Sequence, residues 1–179
     1  MMAFNLAKKY PELLEIMHYN EFERKKSLRA IFDRNITDND SFKFNDKQIR
    51  PTKKDGEIDL STVFHHLTTE EVEEMENGKK VTHRYFEKDR SMRLHWIKPH
   101  VDLKIKDHIE CFSVRERDER KRKDVLRTYV YNISQKYVVV LEPQNSNLDY
   151  YLLTAYYLNR DYGDKMMKKK LKKKLDVLY

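Results

Sequence analysis

The sequence predicts an α+β fold: N-terminal helices, a four-stranded antiparallel sheet and a closing basic helix. Three observations predict it. Ahead of Pro99, apolar residues recur at helical spacing; beyond it they alternate or run continuously in short segments. Asp149–Arg160, DYYLLTAYYLNR, is almost wholly apolar and aromatic between polar ends, the pattern of a buried strand. Directly after it, residues 165–174 (KMMKKKLKKK) hold seven lysines and no acid.

In chain order, the spacing predicts a helix over 11–33, with Pro11 in its first turn and Leu14, Met17, Leu28, Ile31 and Phe32 on one face. Residues 34–62 carry Asn, Asp, Pro51 and Asp55-Gly56 and read as loop, with a short hairpin from SFKFNDKQIRP. Thr68–Glu71 resembles a capping box opening a short acidic helix that stops near Gly78. A further helix is expected over 81–98, with Val81, Tyr85, Phe86, Met92, Trp96 and Ile97 inward and Pro99 ending it. Its polar side gathers Arg84, Lys88, Ser91, His95 and Lys98. Then come strands at Ile109–Val114, Val125–Asn132, Lys136–Glu142 and Tyr150–Leu158, joined by a charged connection (RERDERKRKD) and polar turns. In the last strand, alternation sets Thr154 and Tyr156 on one face with Tyr150 and Leu152. Met167, Leu171, Leu175 and Leu178 give the closing 164–178 helix a narrow apolar stripe.

Composition excludes several classes. A single cysteine, Cys111, rules out an intramolecular disulfide framework and a cysteine-rich zinc site. No run of residues is apolar enough to span a bilayer, and MMAFNLAKKYPELLE lacks a signal-peptide core, so a cytoplasmic protein is expected. The net charge of +7 equals the seven lysines of 165–174; the other residues balance at 30 basic against 30 acidic. A lysine-saturated helix attracts polyanions, nucleic acid first.

The residue types suggest phosphodiester chemistry. His95 among cations would be held neutral and able to accept a proton. Arg127, sharing a strand face with Tyr129 and Tyr131, could bind a phosphate bidentately. A buried Thr154 hydroxyl needs a partner, and a phosphate oxygen would serve. Tyrosines could stack unpaired bases, with Lys98, Lys168, Lys169, Lys172 and Lys173 meeting phosphates. Adjacent His65 and His66 cannot both face one metal from a helix, so no metal or other cofactor is expected. A solvated lysine tail and a core threonine are the plain alternatives.

The segments HWIKP, RTYVYN, KYVVVLEPQ and YYLLTAYYLNR, followed by a basic helix, resemble phage- and mobile-element members of the barnase–EndoU–colicin–RelE (BECR) ribonuclease superfamily over residues 83–178. The resemblance implies a nuclease domain over 81–179, with residues 1–80 as an extension of unassigned role. It also implies RNA cleavage by 2′-hydroxyl attack without metal, with His95, Arg127, Thr154 and Tyr156 as the catalytic set. RNA would be the substrate, and an antitoxin, immunity or host protein the partner. Two rivals stand beside it: an inactive nucleic-acid-binding module on the same fold, and a protein-interaction module.

Overall fold

The computed structural model describes residues 2–51, 53–54, 57–144 and 146–179. In chain order these form α1 (Met2–Ala7), α2 (Glu21–Phe32), β1 (Lys43–Phe44), β2 (Lys47–Pro51), β3 (Lys53–Lys54), β4 (Glu57–Ile58) and α3 (Leu60–Thr68). There follow β5 (Thr69–Glu76), β6 (Lys79–Phe86), α4 (Lys88–Ser91), α5 (Ile97–Val101), β7 (Ile109–Asp118), β8 (Lys123–Asn132), β9 (Tyr137–Pro143), β10 (Asp149–Tyr157) and α6 (Asp161–Leu171). A π-helical turn extends α2 over Asp33–Thr37, and a 3₁₀ turn spans Leu94–Trp96.

The class is α+β, but the main sheet has six strands and is mixed, in the order β1-β2-β10-β9-β8-β7. The four C-terminal strands pair antiparallel in sequence order, as the change of period predicts. The short hairpin expected from SFKFNDKQIRP is β1–β2; what the sequence reading lacks is its place in the sheet, where β2 joins parallel to β10 with Tyr150 opposite Ile49. The N-terminal half therefore supplies sheet as well as cover. A division at residue 80 falls inside the β5–β6 hairpin, and one apolar core draws Leu14, Ile31, Phe32 and Phe64 together with Val139, Leu141 and Leu152. No described helix is long and apolar enough to cross a membrane.

Four local expectations are corrected. The 11–33 helix begins only at Glu21, because Asn20 caps it: its side chain accepts from Glu23 N while Glu23 returns a bond to the Asn20 backbone. Before that cap, Leu14 and Ile16 bury alternate side chains, and Leu14 N donates to the Met92 carbonyl. The acidic helix over 68–78 and the start of the 81–98 helix are instead the two strands of a hairpin. Asn77 and Gly78 take φ of 49° and 74°, the paired left-handed conformation of a two-residue hairpin turn. Glu71 then faces Arg84 and Glu76 faces Lys79, so the glutamates that argued for helix serve as cross-strand partners. Pro99 does not end a helix; it sits in the first turn of α5, where its missing N–H costs nothing. The closing helix stops at Leu171.

Beyond α6 the chain crosses from one face of the sheet to the other. Met167 and Leu171 pack on the face of Phe112, Tyr129 and Val138, whereas Leu178 packs on the opposite core. Leu175 N donates to the Ser113 carbonyl of β7 at 2.8 Å, and Tyr179 N donates to Ser113 Oγ at 3.0 Å. Thr128 Oγ1 and the Tyr150 hydroxyl both donate to the Tyr179 carbonyl oxygen.

Candidate functional site

The four residues expected to act together do not form one site. His95, on the 3₁₀ turn, is 4 % exposed between Leu94 and Trp96, on the side of the sheet covered by the N-terminal half. Burial is the main cause that pushes its pKa down to about 4; the nearby Glu12 carbonyl opposes this. Neither ring nitrogen makes a well-formed hydrogen bond among the described residues. The cause of neutrality is therefore desolvation, not the exposed cationic face that the helical wheel suggested.

Thr154 and Tyr156 lie on the opposite face. A β-bulge between Leu152 and Thr154 breaks the alternation, so Leu152 stays on the N-terminal side while Thr154 and Tyr156 oppose Val140 and Val138. The expected face-sharing with Tyr150 and Leu152 is thereby overturned. Thr154 Oγ1 is buried without a partner among the described residues. Tyr156 is pushed up to about 12 by burial.

Arg127 shares the face of Thr154 but is not free for a phosphate. Its guanidinium is clamped by Asp118 at 2.8 Å and by Glu142, with 12 % of the side chain exposed. Tyr129 and Tyr131 are 3 % and 0 % exposed, so they cannot stack bases. Their hydroxyls donate to Glu116 and Asp164, and burial first, then these carboxylates, raises both phenols. Lys98 is taken by Asp102 at 2.6 Å. Sequence spacing places residues on faces; it does not reveal which carboxylates fold back onto them.

The lysines behave differently. Lys165, Lys168, Lys169, Lys172, Lys173 and Lys174 are all exposed. Among the described residues only Lys168 of these six has an acid partner, Asp164 at 2.9 Å, while the half-buried Lys170 pairs with Glu116.

A second buried histidine escaped the sequence reading. His100, 0 % exposed, holds Nδ1 2.6 Å from the Trp96 carbonyl and Nε2 3.0 Å from Asn132 Nδ2. Nδ1 therefore carries the proton and Nε2 accepts. Asn132 Nδ2 also lies 3.1 Å from the Tyr10 hydroxyl, which donates to Asp107. Burial pushes His100 down to about 4. With every partner satisfied inside the core, this network ties the N-terminal segment to β8.

The cavity with the strongest recognition character was also missed. A groove of about 1030 Å³ lies between α2, α3 and the β5–β6 hairpin. One stripe of α2 lines it with Phe22, Lys25, Lys26 and Arg29, spaced i, i+3, i+4 and i+7. Phe64, Phe86 and Leu28 contribute apolar surface, and Arg84 and Tyr85 close the hairpin side. The Arg24 guanidinium sits 3.9 Å from the Phe86 ring centroid. His65 and His66 line the α3 side, lowered first by burial and then by Arg84, with Lys25 adding to His65. The α2 stripe was legible in the sequence; its meeting with α3 and the hairpin was not.

Among the described residues one group has donor atoms close enough to share a cation: Glu74, Glu76 and His83, within 4.8 Å of one another. His83 Nε2 is already 2.6 Å from Glu76 Oε1, and the Tyr85 hydroxyl donates to Glu74 at 3.0 Å, so both carboxylates already have hydrogen-bond partners. No protein-family model, curated protein or solved structure matches this chain.

Proposed function

We propose that the chain is a nucleic-acid-binding module that holds single-stranded RNA through the lysine-rich segment 165–174, the end of α6 and the turn after it, and performs no ribonuclease chemistry at His95. The observation that carries this reading is the set of six exposed lysines over 165–174, five of them without an acid partner among the described residues. Neutralising phosphates with such a surface releases counterions and needs no deep pocket. The non-catalytic half of the reading is supported by the separation of groups. A proton donor or acceptor must come within hydrogen-bond reach of the atom it serves, and His95 is enclosed on one face of the sheet while Thr154 and Arg127 occupy the other.

Anisotropy titration of purified protein with a labelled single-stranded RNA, over a series of salt concentrations, tests both halves, with a gel to follow the RNA. Log affinity is expected to fall linearly with log salt, and the RNA to remain intact. Replacing Lys168, Lys169, Lys172 and Lys173 by Gln should flatten the slope by about 0.7 per lost phosphate contact. A slope unmoved by that variant removes the lysine interface. Cleavage that disappears in His95→Ala would overturn the non-catalytic reading in favour of a ribonuclease.

A further inference from the structure

The groove between α2, α3 and the β5–β6 hairpin is a different surface from α6, and its residues have a pattern of their own. Phe22 is 75 % exposed and Tyr85 47 % exposed, both directed into a cavity of about 1030 Å³. Large rings left in water cost solubility unless something covers them. The cations around them are largely uncommitted. Arg29 pairs with Asp33 and Arg84 with Glu71, but Arg24, Lys25 and Lys26 have no acid within ion-pair distance among the described residues. Among the described residues only Glu21 brings a negative charge to the lining.

The geometry points to this groove as a second, base-stacking site for an unpaired segment of nucleic acid, an inference that rests on reading the chain as a nucleic-acid binder. The groove sets rings beside cations: Phe22 shares the α2 stripe with Lys25, Lys26 and Arg29, about 5–6 Å from one to the next, and Tyr85 and Phe86 face them from the hairpin. That mixture suits a ligand that carries anionic and flat aromatic groups together, as phosphates and bases do along a single strand. An acidic amphipathic peptide would be met by an apolar floor with its cations gathered at the rim. Here Phe22 stands in the same stripe as Lys25 and Lys26, and Arg24 is already stacked on Phe86. His65 and His66 on the α3 side are lowered mainly by burial, with Arg84 adding to both and Lys25 to His65.

The test uses the full chain and a fluorescein-labelled decauridine. Phe22→Ala with Tyr85→Ala should weaken binding about tenfold or more, because stacking is lost, and leave the salt slope unchanged. Phe22→Tyr with Tyr85→Phe keeps both rings and should bind like the parent. Both side chains are exposed, so the fold is expected to survive, and circular dichroism of the variants verifies it. If the alanine variant binds decauridine as the parent does while the lysine variant of α6 does not, the groove proposal is overturned and the α6 interface stands. If the parent binds no oligonucleotide at all, both fall. An acidic Glu/Leu-rich peptide that binds the parent, loses affinity in the alanine variant and leaves decauridine binding untouched would assign the groove to a protein partner and also overturn the proposal.

Discussion

The two faces of the six-stranded sheet handle buried polarity in opposite ways. On the N-terminal side the most deeply buried polar groups are uncharged: His95, His100, Asn132, Ser113 and Thr128 are each at most 4 % exposed, while Arg93, stacked on Trp96 and Tyr157, keeps 11 % of its side chain exposed. On the α6 side charge is retained but carried to the rim, where Arg127 meets Asp118 and Glu142, and Tyr129 and Tyr131 give their hydroxyls to Glu116 and Asp164. Desolvation costs explain the division. A group sealed between two layers must be neutral, whereas a rim group keeps enough water and partners to stay ionised. The two faces should therefore respond to different perturbations.

Acid gives the largest expected effect. Both histidines titrate near 6.5 when unfolded and are held down to about 4 when folded. As pH falls below about 6.5 the unfolded chain takes up protons first, so stability is lost progressively down to about pH 4, by about 3 kcal/mol per histidine. Asp118 and Asp164 act in a lower window: their pKa values are depressed from 3.8, so their contribution disappears only as pH falls below that value. Urea denaturation at pH 7 and pH 5 should show the histidine loss, to which the lowered His65 and His66 add, and His95→Leu should remove that histidine's share of it. Equal pH dependence in that variant would break the comparison.

Next in size is Arg127→Ala, which removes the ion-pair partner of the largely buried Asp118 and leaves Glu142 with Lys121 alone. It should cost about 2–4 kcal/mol in urea denaturation at pH 7. The loss should shrink in strong acid, as Asp118, held below 3.8 by the Lys121 N–H and then by Arg127, is protonated. A loss below about 0.5 kcal/mol would mean that the α6 face is as tolerant of unpaired charge as open surface.

The smallest effect tests the exception. Thr154 is the one threonine on the α6 face whose hydroxyl is sealed without a partner among the described residues. Thr154→Val keeps the shape and removes the orphaned group, so stability should rise by about 1 kcal/mol. A decrease would show that the hydroxyl has a partner and that the face is not divided as argued.

The meander was readable because period-2 alternation and turn residues act locally. The hairpin of β5 and β6 was not, because a glutamate-rich strand lacks β-formers, and Thr68–Glu71 with Gly78 imitates helix caps; the Asn77-Gly78 pair was the signal that should have outweighed them. The candidate site failed for a geometric reason. One extra residue at the β10 bulge reverses every later side chain, which moved Thr154 and Tyr156 away from Tyr150. Nor does any spacing report that Asp118 and Glu142 converge on Arg127, or that α2 and the hairpin enclose a groove. Pairing across distant segments is information that only the folded chain holds.

The passage of residues 172–179 around β7 has a consequence for self-association. An edge strand of ten residues offers unpaired backbone groups on which a second copy can build, the usual start of ribbon-like aggregates. Here the Ser113 carbonyl is already occupied by Leu175, and the strand's far half carries Arg115, Glu116, Arg117 and Asp118. At the other margin β1 is only two residues long. Both margins of the sheet are thus blunted against strand addition, so copies of this chain are expected to stay apart at high concentration, and a variant that releases 172–179 should be the one that forms fibres.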